Sequence, residues 1–297
     1  MKNIIYLNYN LDVNVNNNSN DVYSFYIDYV KYYFIKVKRP IEDINHINEL
    51  LSLQKNYYHL IVKTVNNTLF SKVEKNNYVL LKLNYPENDE ITLDDIIKNQ
   101  IKVENINKSL KRNSWSSLWE RKNDYLEYQI SELAKNHTTA ISSFSYYLAL
   151  AENTIAYFNL TDKNGELSLN QKRIIYPNYS LNYFNPLNLI IDYRVRDVAE
   201  YIKVCFWNKK DAIGEVKKII NKNIYSSSEY NLLFVRILYP SNYFDDLQLV
   251  LENNKDDDIL LKYVERAEEY RLFLKDVFYL ITKKAPLMNI DWITKEH

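Results

Sequence analysis

The residues best placed to do chemistry lie in Ile174-Ile-Tyr-Pro-Asn-Tyr-Ser-Leu-Asn-Tyr183 and Leu189-Ile-Ile-Asp-Tyr-Arg-Val-Arg-Asp197. A phosphoryl-transfer loop of the form His-x-Asp-x-x-x-x-Asn supplies an acceptor base and a metal ligand, with a hydrophobic strand and a metal-binding Asp behind it. On that frame the loop positions fall on Tyr176, Asn178 and Tyr183, and the later acid is Asp192. An amide at Asn178 cannot take a hydroxyl proton at neutral pH, and the phenol of Tyr183 is a poor ligand for Mg²⁺. The reading is a phosphotransferase frame that has lost most of its chemistry and keeps Asp192, at a shorter spacing than usual.

Upstream, Lys36 and Lys38 share one face of an expected strand and Glu49 lies on the following helix. A Lys36–Glu49 pair would position phosphates, although such pairs also form on solvated faces. Asp197 reads as a helix-capping acid, and Glu152 as a hydrogen-bonded flank of an apolar helix.

The elements that must position these residues change character near residue 86. Before it, Ile4 to Leu11 reads as a strand, Asn14 to Asn20 as a polar turn, and Val22 to Lys38 as two strands. Ile41 to Gln54 places Ile44, Ile47, Leu50 and Leu51 on one helical face, and three more strands follow up to Leu83. After it helices dominate. Ser117-Leu-Trp-Glu120 has the form of a capping box. Ile141, Phe144, Leu148, Ala151, Ile155 and Phe158 repeat at helical spacing, and a final long helix is expected from Asp257 to Lys283.

Composition excludes several classes of function. The 38 basic and 38 acidic side chains cancel, so no overall field attracts nucleic acid. Cys205 is the only cysteine, and His46, His59, His137 and His297 lack metal-ligand spacing. Asp256-Asp-Asp258 reads as a solvated helix cap in preference to a calcium site. Gly165 and Gly214 are the only glycines, too few for a glycine-rich nucleotide loop. The 28 tyrosines reflect AT-rich coding before function, and no apolar run is long enough to cross a bilayer.

Trp115-Ser-Ser-Leu-Trp-Glu-Arg121, Tyr146-Tyr-Leu-Ala-Leu-Ala-Glu-Asn-Thr-Ile-Ala-Tyr157 and Asp192-Tyr-Arg-Val-Arg-Asp-Val-Ala-Glu-Tyr201 resemble the spore-coat-associated kinase-like proteins of Firmicutes. These form the CotS and YutH group of the aminoglycoside phosphotransferase and protein-kinase-like superfamily. The resemblance implies an α+β, bilobal protein-kinase-like fold. Residues 1–85 would form a small antiparallel-sheet N-lobe with one helix, and residues 86–297 a larger, mainly α-helical C-lobe. It places Asn178 where the superfamily has its base, Tyr183 at the metal-binding Asn, Tyr176 at the loop His and Asp192 at the metal-binding acid. It also gives Lys36 and Glu49 the nucleotide-binding roles.

The resemblance thus implies a catalytically degenerate pseudokinase without a cofactor, a binding or scaffolding component with spore-coat proteins as its partners. Its expected place is inside the cell or in the spore coat. The alternative is an active ATP-dependent small-molecule phosphotransferase in which Asp192, or a displaced acid such as Glu152, works with ATP and Mg²⁺. A third reading is a protein that binds a nucleotide or sugar phosphate without turnover.

Overall fold

The structure is a computed structural model that describes residues 1–19, 21–52, 58–104, 108–253 and 256–294. Asn20 of the expected turn, Gln54 at the expected helix end and His297 lie outside the described residues. In chain order the first elements are α1 (Lys2–Tyr9), β1 (Asn16–Ser19), β2 (Val22–Ile27), β3 (Val30–Lys36), α2 (Ile41–Ser52), β4 (Leu60–Val62), β5 (Ser71–Val73), β6 (Asn76–Lys82) and α3 (Leu93–Lys98). Then come α4 (Trp115–Leu133), α5 (Thr138–Leu160), β7 (Leu167–Gln171), α6 (Ser180–Tyr183), β8 (Leu189–Tyr193), α7 (Arg196–Trp207) and α8 (Ala212–Lys222). The last are α9 (Ser227–Leu238), α10 (Ser241–Asn253), α11 (Leu261–Glu265), α12 (Ala267–Ile281) and α13 (Asp291–Thr294).

The chain divides into two compact units, Met1–Lys111 with Gln171–Ile190 and Arg112–Asn170 with Ile191–His297. The first unit thus runs past residue 85 to Lys111 and also takes in the loop that follows β7.

In this sheet-bearing unit the strands order as β1-β2-β3-β6-β4, with β5 also paired to β6, all antiparallel. Side chains alternate across the sheet, as the two-residue strand period requires. Phe34, Tyr78 and Leu80 join Ile5, Tyr9 and Phe25 in one core, while Tyr33, Val79, Leu81 and Leu83 form the other. Leu181 and Leu187 pack on this second core and so bring the loop after β7 under the sheet.

The hairpin between β2 and β3 turns through Asp28 and Tyr29 at φ 47° and 65°. The left-handed region penalises a Cβ, and the Tyr29 side chain is fully exposed with no burial to compensate. Tyr29→Gly is therefore expected to stabilise the protein by about 1 kcal/mol, measured by urea denaturation.

Several sequence expectations change. The strand expected over Ile4 to Leu11 is the helix α1, because Ile5 and Tyr9 are buried on one face while Leu7 is exposed. The expected polar turn contains the edge strand β1, whose fully exposed Asn-Asn-Asn-Ser gives no hydrophobic alternation to read. Ser117 caps nothing, because α4 already starts at Trp115 and the Ser117 hydroxyl donates back to the Ser114 carbonyl. Capping boxes form instead at Thr92 with Asp95 and at Ser226 with Glu229. Within α5, Phe144, Ala151, Ile155 and Phe158 are buried, but Ile141 and Glu152 are exposed.

The long final helix breaks at Arg266, whose φ of −108° and ψ of 17° lie outside the helical range. Its guanidinium donates to the Phe206 and Trp207 carbonyls at the end of α7 and lies 4.4 Å from the centre of the Phe206 ring. A cation satisfying another helix's last carbonyls is a favourable exchange for one local turn.

Candidate functional site

The expected loop residues stand in unlike surroundings. Tyr176 is about half exposed. Asn178 is buried, its carbonyl accepts the Ile91 N–H at 2.8 Å, and its side-chain Nδ2 is among the buried polar atoms without a hydrogen bond. Tyr183 is buried in α6, and its carbonyl accepts a hydrogen bond from the Gln171 side chain.

His59 anchors this loop to the strands. Its own N–H donates to the Phe184 carbonyl at 2.9 Å, its Nδ1 accepts the Asn84 N–H at 3.3 Å, and its Nε2 lies 3.0 Å from the Ser180 carbonyl. A carbonyl can only accept and an amide N–H only donate, so the ring is neutral with its proton on Nε2. Burial lowers its pKa to about 4.

An adjacent cavity of about 460 Å³ is lined by Asp89, Glu90, Asp95, Lys98, Asn99, Tyr85 and Phe184. Three carboxylates against one ammonium make it a poor host for phosphate.

The Lys36–Glu49 pair expected from the sequence is not formed. Lys36 closes β3, and its Nζ stands 3.3 Å from Asp21 Oδ1 in the turn before β2. Glu49 projects from the exposed side of α2, with its carboxylate 3.8 Å from Nδ1 of the His46 ring. The buried face of α2 carries Asp43, Ile44, Ile47 and Leu51, which turns Glu49 outward. Lys38 lies beyond the end of β3 and is exposed.

Asp192 sits at the centre of the helical unit's polar core and is wholly buried. The Trp115 indole donates to Oδ1 at 2.9 Å and to Oδ2 at 3.1 Å, the Tyr193 N–H to Oδ1 at 2.8 Å, and Arg196 to Oδ2 at 3.0 Å. Burial pushes its carboxyl above the ordinary value, while Arg196, Arg236 and the Trp115 hydrogen bond work against that. Behind it, Arg236 donates to Glu200 at 2.6 Å and lies over the Trp115 and Trp119 rings at 5.2 and 5.5 Å.

Glu200 also receives Lys203 at 3.1 Å and the Ser241 hydroxyl at 2.8 Å. Burial works to raise the Glu200 carboxyl, but Lys203, Arg236 and Arg196 outweigh it and hold it far below the carboxylate range. Lys203 is brought down to about 8 by burial, against the pull of Glu200.

Asn170, on β7, ties this core together: its Nδ2 donates to the Asp192 carbonyl at 3.1 Å and its Oδ1 accepts the Asp197 N–H at 3.3 Å. Asp197 itself is buried in the first turn of α7. Sequence reasoning missed Asn170, Glu200, Lys203 and Arg236 as a group. The available signal was charge inside apolar helices, Glu200 and Lys203 three apart in α7 and Arg236 within Leu-Leu-Phe-Val-Arg-Ile-Leu.

An antiparallel sheet with one helix between its strands, followed by a mainly helical part, is the kinase-like phosphotransferase fold. An aminoglycoside phosphotransferase from Alicyclobacillus acidocaldarius superposes with a TM-score of 0.69 at 10% identity, covering 95% of this chain and 96% of that one. Spectinomycin phosphotransferase APH(9)-Ia, solved with ADP and spectinomycin, gives 0.62 at 13% identity over 94% and 97%.

The chain belongs to the family described as "Spore coat putative kinase YutH", whose profile matches residues 2–277. The endospore coat-associated protein YutH of Bacillus subtilis (strain 168) is 23% identical over 208 residues, and the match spans 61% of the length of each chain. Among the described residues no helix is long and apolar enough to cross a membrane.

Proposed function

We propose that this chain is a catalytically degenerate kinase-like protein that acts as a binding or scaffolding component of the spore coat, made in the cytoplasm. The observation that carries the reading is Asp192. A magnesium-binding carboxylate needs oxygen lone pairs directed at the ion. Both oxygens of Asp192 are instead taken by N–H donors of Trp115, Tyr193 and Arg196 in a site closed to water. Those residues do not fit Mg²⁺.

The nucleotide side agrees with this. Lys36 is held by Asp21, Asn178 offers no base, and Glu152 stands exposed on α5 as an ordinary solvated acid. The B. subtilis relative is described as endospore coat-associated, which supports coat proteins as the partners.

Millimolar ATP with Mg²⁺ is expected to leave the melting temperature unchanged, whereas a ligand at 100 times its Kd would add about 2.7 kcal/mol. Magnesium-dependent stabilisation, with phosphate transfer abolished in Asp192→Asn, would establish the active phosphotransferase instead. Stabilisation by nucleotide without transfer would favour a binding pseudokinase.

A further inference from the structure

Asp21 holds the end of β3 twice. Its carbonyl accepts the Lys36 N–H at 3.0 Å, and its carboxylate lies 3.3 Å from Lys36 Nζ. Both side chains keep partial access to water, 35% for Asp21 and 29% for Lys36, so the ion pair adds little to folding. Lys36 stands opposite Tyr78 in the strand register, and the phenol of Tyr78 shares its electrostatic surroundings with Tyr23, Asp21, Lys36 and Glu74. A lysine ammonium is a binding group for a small oxyanion, and here a carboxylate already stands on it.

We infer that Asp21 is an internal plug, a carboxylate that takes the place of a phosphate oxygen on Lys36 and repels any phosphate that approaches. This rests on the degenerate-kinase reading, because in phosphoryl-transfer folds the turn between the first strands covers the phosphates and a strand lysine meets them. Here the turn contributes an acid where a backbone cradle would be needed. The contact is local to one sheet and needs no metal, so it acts independently of Asp192. The ligand class it excludes is a phosphate or diphosphate anion, free or as the tail of a nucleotide.

The test is pyrophosphate binding to the full chain in the presence of a chelator, followed by calorimetry. Wild type is expected to bind weakly or not at all, and Asp21→Asn about tenfold more tightly, the scale of removing one close, screened charge. The gain should vanish in Asp21→Asn combined with Lys36→Gln. Asp21→Ser, which also removes the charge, should reproduce it should Asp21→Asn fold poorly. No gain in either single variant, or a gain that survives Lys36→Gln, overturns the plug. ADP run beside pyrophosphate separates a free anion from a nucleotide tail, since extra affinity for ADP requires contacts beyond Lys36. Phosphate transfer from magnesium ATP by the wild type would overturn the degenerate reading, and the metal-free comparison would still decide the plug.

Discussion

Asp192→Ala is expected to cost about 3–5 kcal/mol of folding stability, the range for removing one partner of a buried ion pair. Alanine would leave the Arg196 guanidinium without its 3.0 Å acceptor and the Trp115 indole without either oxygen, all inside a core closed to water. Arg236, stacked over Trp115 and bound to Glu200, would then face the nearby guanidinium of Arg196 with one balancing charge fewer. Trp115→Phe, which removes only the indole donor, should lose less, about 1–3 kcal/mol, as expected for a hydrogen bond to a charged group. Urea denaturation of both variants checks this. An acid kept for binding a metal gives the opposite pattern, because clustered ligand charge costs stability and its removal is neutral or stabilising. A loss below about 1 kcal/mol for Asp192→Ala would be at the level of an exposed pair and would defeat the structural reading.

Acidification supplies the second large effect. The folded pKa of His59 lies near 4, below the ordinary 6.5, because burial disfavours the imidazolium. Unfolded chains therefore take up the proton first. The stability contributed by the neutral ring is complete above pH 6.5 and is lost as pH falls from 6.5 towards 4. Across that window the loss approaches about 3 kcal/mol for a side chain that is 1% exposed. Protonation would also remove the Nδ1 acceptor of the Asn84 N–H beyond β6, while the Nε2 contact with the Ser180 carbonyl of the loop is kept. Stability followed by urea denaturation from pH 7.5 to 4 should fall steeply in wild type. In His59→Asn the slope should be shallower by one proton. Equal slopes would mean that other groups carry the acid sensitivity.

The family and the fold were legible in the sequence because they rest on patterns that span many residues. Alternating aromatic and β-branched residues in Val22 to Lys38 yielded β2 and β3, and the apolar repeats after residue 115 yielded the helices, since burial on one face imposes its period on the chain. The segments headed by Trp115 and Asp192 were recognisable as kinase-like, and in the structure those two residues are hydrogen-bonded to each other. Failures came where the local pattern is silent or ambiguous. Four exposed polar residues cannot announce an edge strand, and Ile5, Leu7 and Tyr9 suit a strand until Leu7 is seen in solvent.

The sequence by itself determined the kinase-like class and the residue types available in its loop and strand, an amide at Asn178 and an acid at Asp192. Tertiary structure alone decided which partner each charged group has. Lys36 meets Asp21 instead of Glu49, and Asp192 meets an indole, a backbone N–H and a guanidinium instead of solvent. The physical reason is that residue type sets a charge, whereas burial and the few ångströms to its neighbours set its energy, and those distances join residues as far apart in the chain as Trp115 and Asp192.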